Sequence, residues 1–193
     1  IALCDAGTGI GKTYAYLVAG VVFRRYRSRA GLPNQPLLIS TSSIALQGAI
    51  IHDYLPFLSK VMMADGMLDS PLRAVLRKGK SHYVCDARLM KRLQTANLDR
   101  KNPLAKAALL SMRDHLDLDM APHLSGYDRE RICVPPTCDC GKTECRYLCY
   151  LDVCASERYA IQVCNHNLLL ADAIHQGSGK RPILPDSCAI VMD

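Results

Sequence analysis

The chain has 193 residues, 49% of them hydrophobic, enough to bury one good core, and no apolar run approaches the roughly 20 residues of a membrane-spanning helix. Its 24 Lys and Arg against 18 Asp and Glu give a formal net charge of +6, which favours an anionic partner without demanding one. With no Trp and two Phe, stacking on nucleic-acid bases would fall to the nine Tyr.

The first residues show neither a basic start nor a cleavage site, so a cytoplasmic protein with no membrane partner is expected. The chain opens on Ile and closes on an apolar run ending in Asp193, which reads as a segment of a longer protein. Ile1-Ala2-Leu3-Cys4 is short and apolar, as a strand would be. Asp5-Ala6-Gly7-Thr8-Gly9-Ile10-Gly11-Lys12-Thr13 follows and reads as a phosphate-binding loop, with Ala6 where the first Gly of the pattern is commonest. Glycines let backbone N–H groups turn inward and approach a phosphate closely, and the N-terminus of the next helix adds about half a positive charge. Ala6, Gly7, Thr8, Gly9, Ile10, Gly11, Lys12 and Thr13 are therefore the candidate ATP site. Lys12 is placed to reach the β- and γ-phosphates, and Thr13 to put its hydroxyl on Mg²⁺.

Thr13 to Arg25 reads as a helix with an apolar face at Tyr16, Leu17, Ala19 and Val22, closed by Arg24, Arg25, Arg27 and Arg29. A loop at 31–36 leads to a buried strand, Leu37-Leu38-Ile39-Ser40, and then to Thr41-Ser42-Ser43. Those hydroxyls either cap the next helix or hold a nucleic-acid phosphate. Ile44 to about Met63 reads as one long helix, interrupted near Pro56. Leu72–Leu76 reads as a strand, 86–118 as helical, 121–136 as loop, 155–163 as a helix and 188–193 as a last strand. The β-α-β-α order implies a mostly parallel sheet covered by helices, with ligands at the C-terminal ends of its strands. Asp193 ends the last strand, where an Asp holding Mg²⁺, often through water, is found in P-loop NTPases.

Six of the ten cysteines, Cys133, Cys138, Cys140, Cys145, Cys149 and Cys154, crowd into one short region. A disulfide framework suits a small secreted domain, whereas clustered Cys in an intracellular nucleotide-binding protein more often bind metal. Cys4, Cys164 and Cys188 read as small core residues.

These stretches together resemble the XPD/DinG family of iron–sulfur, superfamily-two DNA helicases. The glycine loop is similar to that family's E-A-G-T-G-T-G-K-T, with Asp5 for the Glu. Thr41 to Gln47 resembles the T-x-T-x-x-L-Q motif that touches single-stranded DNA, with Ser43 for the second Thr. Lys78 to Cys85 looks like K-G-R-x-N-Y-x-C, whose Cys is the first cluster ligand, and Cys140, Cys145 and Cys149 look like the later three. The three residues between Cys145 and Cys149 are fewer than is usual, so Cys138 and Cys154 are substitutes. Asn165 to Asp172 resembles N-H-x-L-L-x-x-D, and Ile190 to Asp193 the start of the D-E-A-H box.

The resemblance implies an α/β fold: a RecA-like P-loop NTPase parallel sheet over 1–79 and 165–193, with a mainly helical iron–sulfur insertion over 80–164. It implies an ATP-dependent DNA helicase, translocating 5′ to 3′ on single-stranded or forked DNA or an R-loop, in DNA repair. Lys12 and Asp193 are the implied catalytic residues. ATP, Mg²⁺ and a [4Fe–4S] cluster on Cys85, Cys140, Cys145 and Cys149 are the implied cofactors. Thr41, Ser42, Ser43 and Gln47 would contact DNA, and Lys78, Lys80, Arg88, Lys91 and Arg92 would track phosphates. A second RecA-like domain would complete the motor, and this segment alone is expected to be inactive. Zn²⁺ takes the same four thiolates, which leaves open a nucleotide switch with a zinc-stabilised nucleic-acid-binding insert. A motor of a CRISPR-associated or plasmid-associated branch is a further alternative.

Overall fold

The computed structural model describes residues 1–5, 7, 9–95, 103–138, 145–180 and 182–193. In chain order the elements are α1 (Lys12–Arg29), β1 (Leu37–Ser40), α2 (Ile44–Ala49), α3 (Leu55–Ala64), β2 (Ala74–Arg77), α4 (Asp86–Thr95), α5 (Pro103–Ser111), α6 (Gly126–Ile132), α7 (Arg146–Cys154), β3 (Ile161–Cys164), α8 (His166–Gly177) and β4 (Ala189–Met192). They form two compact units: 1–77 with 155–193, and 78–154.

The first unit is built on a four-stranded parallel sheet in the order β2-β3-β1-β4. Strand β1 is buried along its whole length, so its apolar run serves both faces of the sheet. Leu37 and Ile39 share a core with Leu17 and Val21 of α1, Ile50, Leu55, Leu58 and Met62, and Ile161 and Val163 of β3. On the alternate positions Leu38 and Cys164 pack with Leu168 of α8 and Leu184, as the two-residue repeat of a strand requires. The same face buries Arg77, whose guanidinium donates to Gln162 Oε1 at 2.9 Å and to the Ile183 carbonyl at 2.9 Å, so these buried N–H groups are hydrogen-bonded. Helix α1 approaches β1 at Gly20, where an added Cβ would collide with the Leu37 side chain.

Ile1-Ala2-Leu3-Cys4, expected as a strand, forms none. All four are exposed, Cys4 included, and a strand exists only through its ladder partners, which these residues lack among the described residues. The expected helix over 44–63 is broken by a wide π turn at Ile50–Tyr54, ahead of Pro56 in the first turn of α3. Proline has no N–H to return to the preceding turn, so the break falls on its N-terminal side. The helix expected over 155–163 lies earlier, as α7, and Ile161–Cys164 is a central strand. Strand β3 thus belongs to the sheet unit, and the units divide at 77/78 and 154/155 where the sequence reading divides at 79/80 and 164/165.

Among its described residues the second unit forms no strand. Isolated antiparallel bridges join Tyr83 to Asp117 and Val84 to Cys133. One core gathers Val84, Leu89, Leu109, Met112, Leu118, Ala121, Leu124 and Ile132. A second gathers Tyr83, Cys85, Val134 and Tyr147. Within 121–136, expected as loop, α6 forms because Ser125 caps it, its Oγ accepting from the Asp128 N–H at 3.0 Å. Among the described residues of 86–118, expected as helical, α4 and α5 form, and a short 3₁₀ turn follows from Leu118 to Met120.

Candidate functional site

Gly9 and Gly11 adopt φ of 81° and 86°, conformations that side chains with a Cβ rarely take, and Gly11 is the residue from which α1 starts. Helix α1 opens with no side-chain cap and no acidic residue in its first turn. Its first N–H groups are thus left to water or an anion. Lys12 and Thr13 stand in that first turn, both half-buried, while Gly7, Ile10 and Gly11 are exposed. Ala6 and Thr8 lie outside the described residues.

Asp193 is brought to the same helix. Its backbone N–H donates to the Ser40 carbonyl at 2.9 Å, which extends the β1–β4 pairing by one residue. The Tyr16 hydroxyl donates to Asp193 Oδ2 at 3.1 Å, and the Thr13 side chain bonds the same hydroxyl. Burial pushes the Tyr16 phenol up to about 12. The Thr13 bond opposes that shift, while the negative charge of Asp193 adds to it. Tyr16 therefore acts only as a neutral hydrogen-bonding group near neutral pH, tying the loop helix to the strand-end carboxylate. Sequence reasoning placed Tyr16 merely on an apolar helix face. Its position three residues after Thr13, one turn along the same side of α1, was the available signal.

Across β1 from the same strand ends, Thr41 and Gln47 are buried. Gln47 Nε2 donates to the Thr41 carbonyl at 2.9 Å, and the Ser43 N–H donates to Thr41 Oγ1 at 3.3 Å. Ser43 Oγ accepts from the Leu46 N–H at 3.2 Å and caps α2. The hydroxyl cluster does cap the helix, then, and of the four expected DNA-contact residues only Ser42 and Ser43 are exposed.

The Asn165–Asp172 stretch is the start of α8. Asn165 Oδ1 caps it by accepting from the Leu168 N–H at 2.8 Å. Asp172 accepts from the backbone N–H groups of Ile183 and Leu184, and from Gln176. His166 Nδ1 lies 2.7 Å from Ser40 Oγ.

Of the expected cluster ligands, Cys85 is buried and Cys145 packs half-buried against the same Tyr83–Val134–Tyr147 core. Cys149 is exposed one helical turn on, its N–H donating to the Cys145 carbonyl at 3.1 Å. Cys140 lies outside the described residues. A [4Fe–4S] cluster needs four converging thiolates; Cys85 and Cys145 share one core, and Cys149 lies in the same unit. Among the described residues no three His, Cys, Asp or Glu side chains form a metal-binding group. The substitutes differ in setting: Cys138 is exposed, and Cys154 is fully buried and bonds the Tyr150 hydroxyl.

Most of the basic residues expected to track phosphates are engaged inside the second unit. Lys78 bonds Asp117 and Asp119 at 2.6 and 2.7 Å, and Lys80 the Pro136 carbonyl. Arg88 bonds the Cys133 carbonyl at 2.7 Å, and Arg92 pairs with Asp128 at 2.6 Å. Lys91 is exposed.

The sheet, its flanking helices and the strand-end site are consistent with a RecA-like unit carrying an inserted second unit. No family model matches the chain. It is similar to the ATP-dependent DNA helicase DinG of Photobacterium profundum, 35% identical over 85 residues, 44% of this chain and 10% of that protein. It is similar along 98% of its length to the ATP-dependent DNA helicases YoaA of Haemophilus influenzae, 26% identical, and of Escherichia coli, 28% identical. The chain spans 28% and 29% of those two relatives. The resemblance read from the motifs is thus supported by a DinG relative over 44% of the chain and by YoaA relatives over 98% of it.

Proposed function

We propose that the chain is the ATP-binding part of a DinG-like, ATP-dependent DNA helicase, with ATP–Mg²⁺ at Gly7–Thr13 and Asp193 and a single DNA strand along the Ser42–Ser43 turn. The observation that carries this reading is the convergence of Thr13 and Asp193 on the Tyr16 hydroxyl, beside the Gly9–Gly11 loop. A hydroxyl and a carboxylate held together at a helix N-terminus are the ligands an Mg²⁺–phosphate group takes. Lys12 neutralises charge on the β- and γ-phosphates, and catalysis is positioning and charge stabilisation. The arginine finger and the closing face come from a second RecA-like domain. Cys85, Cys140, Cys145 and Cys149 hold a [4Fe–4S] cluster in the insertion. Movement is 5′ to 3′ on single-stranded or forked DNA or an R-loop, in cytoplasmic DNA repair. The names of the DinG and YoaA relatives support a DNA helicase in general.

The test is ATP hydrolysis by the full-length protein with and without single-stranded DNA. DNA should raise the rate, and Lys12→Ala should lower it at least about 100-fold, the scale set by removing one charge-stabilising group at a reacting centre. Hydrolysis indifferent to DNA would replace the motor with a nucleotide switch. Hydrolysis indifferent to Lys12→Ala would remove the phosphate site from the glycine loop.

A further inference from the structure

In the Asn165–Asp172 stretch, Asn165 and Asp172 spend their side chains on holding α8, and His166 does not. His166 is half-buried, and its Nδ1 meets Ser40 Oγ, which is fully buried at the end of β1. Strands β3 and β1 are neighbours with Ser40 opposite Cys164, and the Thr41 N–H donates to the Cys164 carbonyl at 3.0 Å. His166, two residues past Cys164, therefore stands beside the Thr41–Ser43 turn. Asp193 stands on the opposite side of that turn, at the end of β4.

The Ser40 contact at Nδ1 leaves Nε2 as the outer nitrogen of the ring. Among the described residues Nε2 has no hydrogen-bond partner.

We infer that His166 binds the phosphodiester backbone of a single strand through Nε2, next to Ser42 and Ser43, with Ser40 as the positioning residue that holds the ring at Nδ1. The inference rests on the nucleic-acid reading above and adds to it a contact and a means of orienting it. Phosphate contacts fix the register of a strand without reading its bases, which suits a residue set on a rigid strand end.

The test is the affinity of the full-length protein for a fluorescently labelled oligothymidylate, read by anisotropy, alongside stimulation of ATP hydrolysis by the same strand. His166→Asn keeps a polar atom near Nδ1 for Ser40 and removes the outer nitrogen. His166→Gln places an amide N–H near the position of Nε2. His166→Asn should weaken binding about tenfold, the scale of one hydrogen bond to a charged group, and His166→Gln should recover most of it. Equal affinity in all three proteins overturns the inference. Equal weakening in both variants, with a lowered melting midpoint, assigns His166 a purely structural role and also overturns it. A wild-type protein that neither binds the strand nor responds to it sinks the nucleic-acid reading itself. A responsive wild type with an indifferent His166→Asn sinks only the inference.

Discussion

The two units solve the same problem of holding functional side chains in place by different means. In the sheet unit, Asp193, Ser40, Thr41 and His166 all sit at or just past strand ends, and parallel pairing through buried residues fixes their spacing. In the 78–154 unit no strand ladder is present among the described residues. Small apolar cores are laced by ion pairs, Lys78 with Asp117 and Asp119, Arg129 with Asp119, Arg92 with Asp128, and Arg146 with Asp86. A sheet specifies positions through its backbone, so its site is set once the strands pair. A unit held by side-chain charges and small cores needs something more to fix its thiols.

A bound metal would be that addition, and its removal is the largest effect expected. The full-length protein purified without oxygen should hold about four iron per chain, the content of one [4Fe–4S] cluster. Chelation, or Cys85→Ala, should expose 78–154 to protease while nucleotide binding at the sheet unit persists, because metal binding and local folding are linked. Metal-free protein with an equally resistant insertion would break the contrast. One zinc and no iron would keep the contrast and change the metal.

How much of this was legible in the sequence divides along the same line. Leu37–Ser40 reads as a buried strand because four consecutive residues serve two covered faces, and it is one. The left-handed turns at Gly9 and Gly11 are legible because glycine is the residue that takes them readily. Tyr16 was missed as a link between Thr13 and Asp193, because nothing local says that residue 193 returns to residue 16. Ile161–Cys164 was read as the end of a helix for the same reason: its neighbours in the sheet lie far off in sequence. Lys78, Arg88 and Arg92 read as cations that would track phosphates, but their acceptors, Asp117, Asp119, Asp128 and the Cys133 carbonyl, lie 36 to 45 residues away. Gln47 was read as a DNA contact, yet six residues of separation put its amide on the Thr41 carbonyl, an arrangement visible only once α2 is placed.

Core truncation sharpens the comparison at an intermediate scale. Ile39 and Leu118 are both fully buried, one in each unit. Ile39→Ala and Leu118→Ala should each cost about 2–5 kcal/mol. Hydrogen exchange should show the loss of protection confined to the sheet unit for the first and to 78–154 for the second. Loss in both units from either change would show that they unfold together.

The smallest effect is electrostatic. Asp119 accepts from Lys78, His82 and Arg129. Burial works against its charge, but the bonds from Lys78 and Arg129 outweigh it and hold the carboxyl well below its usual range. A carboxylate whose pKa is depressed by folding stabilises the folded state above its ordinary pKa of about 3.9, and that contribution disappears as pH falls through the lower folded value. At 42% exposure, solvent screening limits it to about 1 kcal/mol or less. Asp119→Asn should therefore lower the melting midpoint of 78–154 slightly at pH 7, less at high salt, and progressively less as pH falls below about 3.9 toward the lower folded value. A variant equal to the wild type at pH 7 would mean that the apolar cores and the metal hold this unit without the charges, and the ion-pair side of the comparison would then fall.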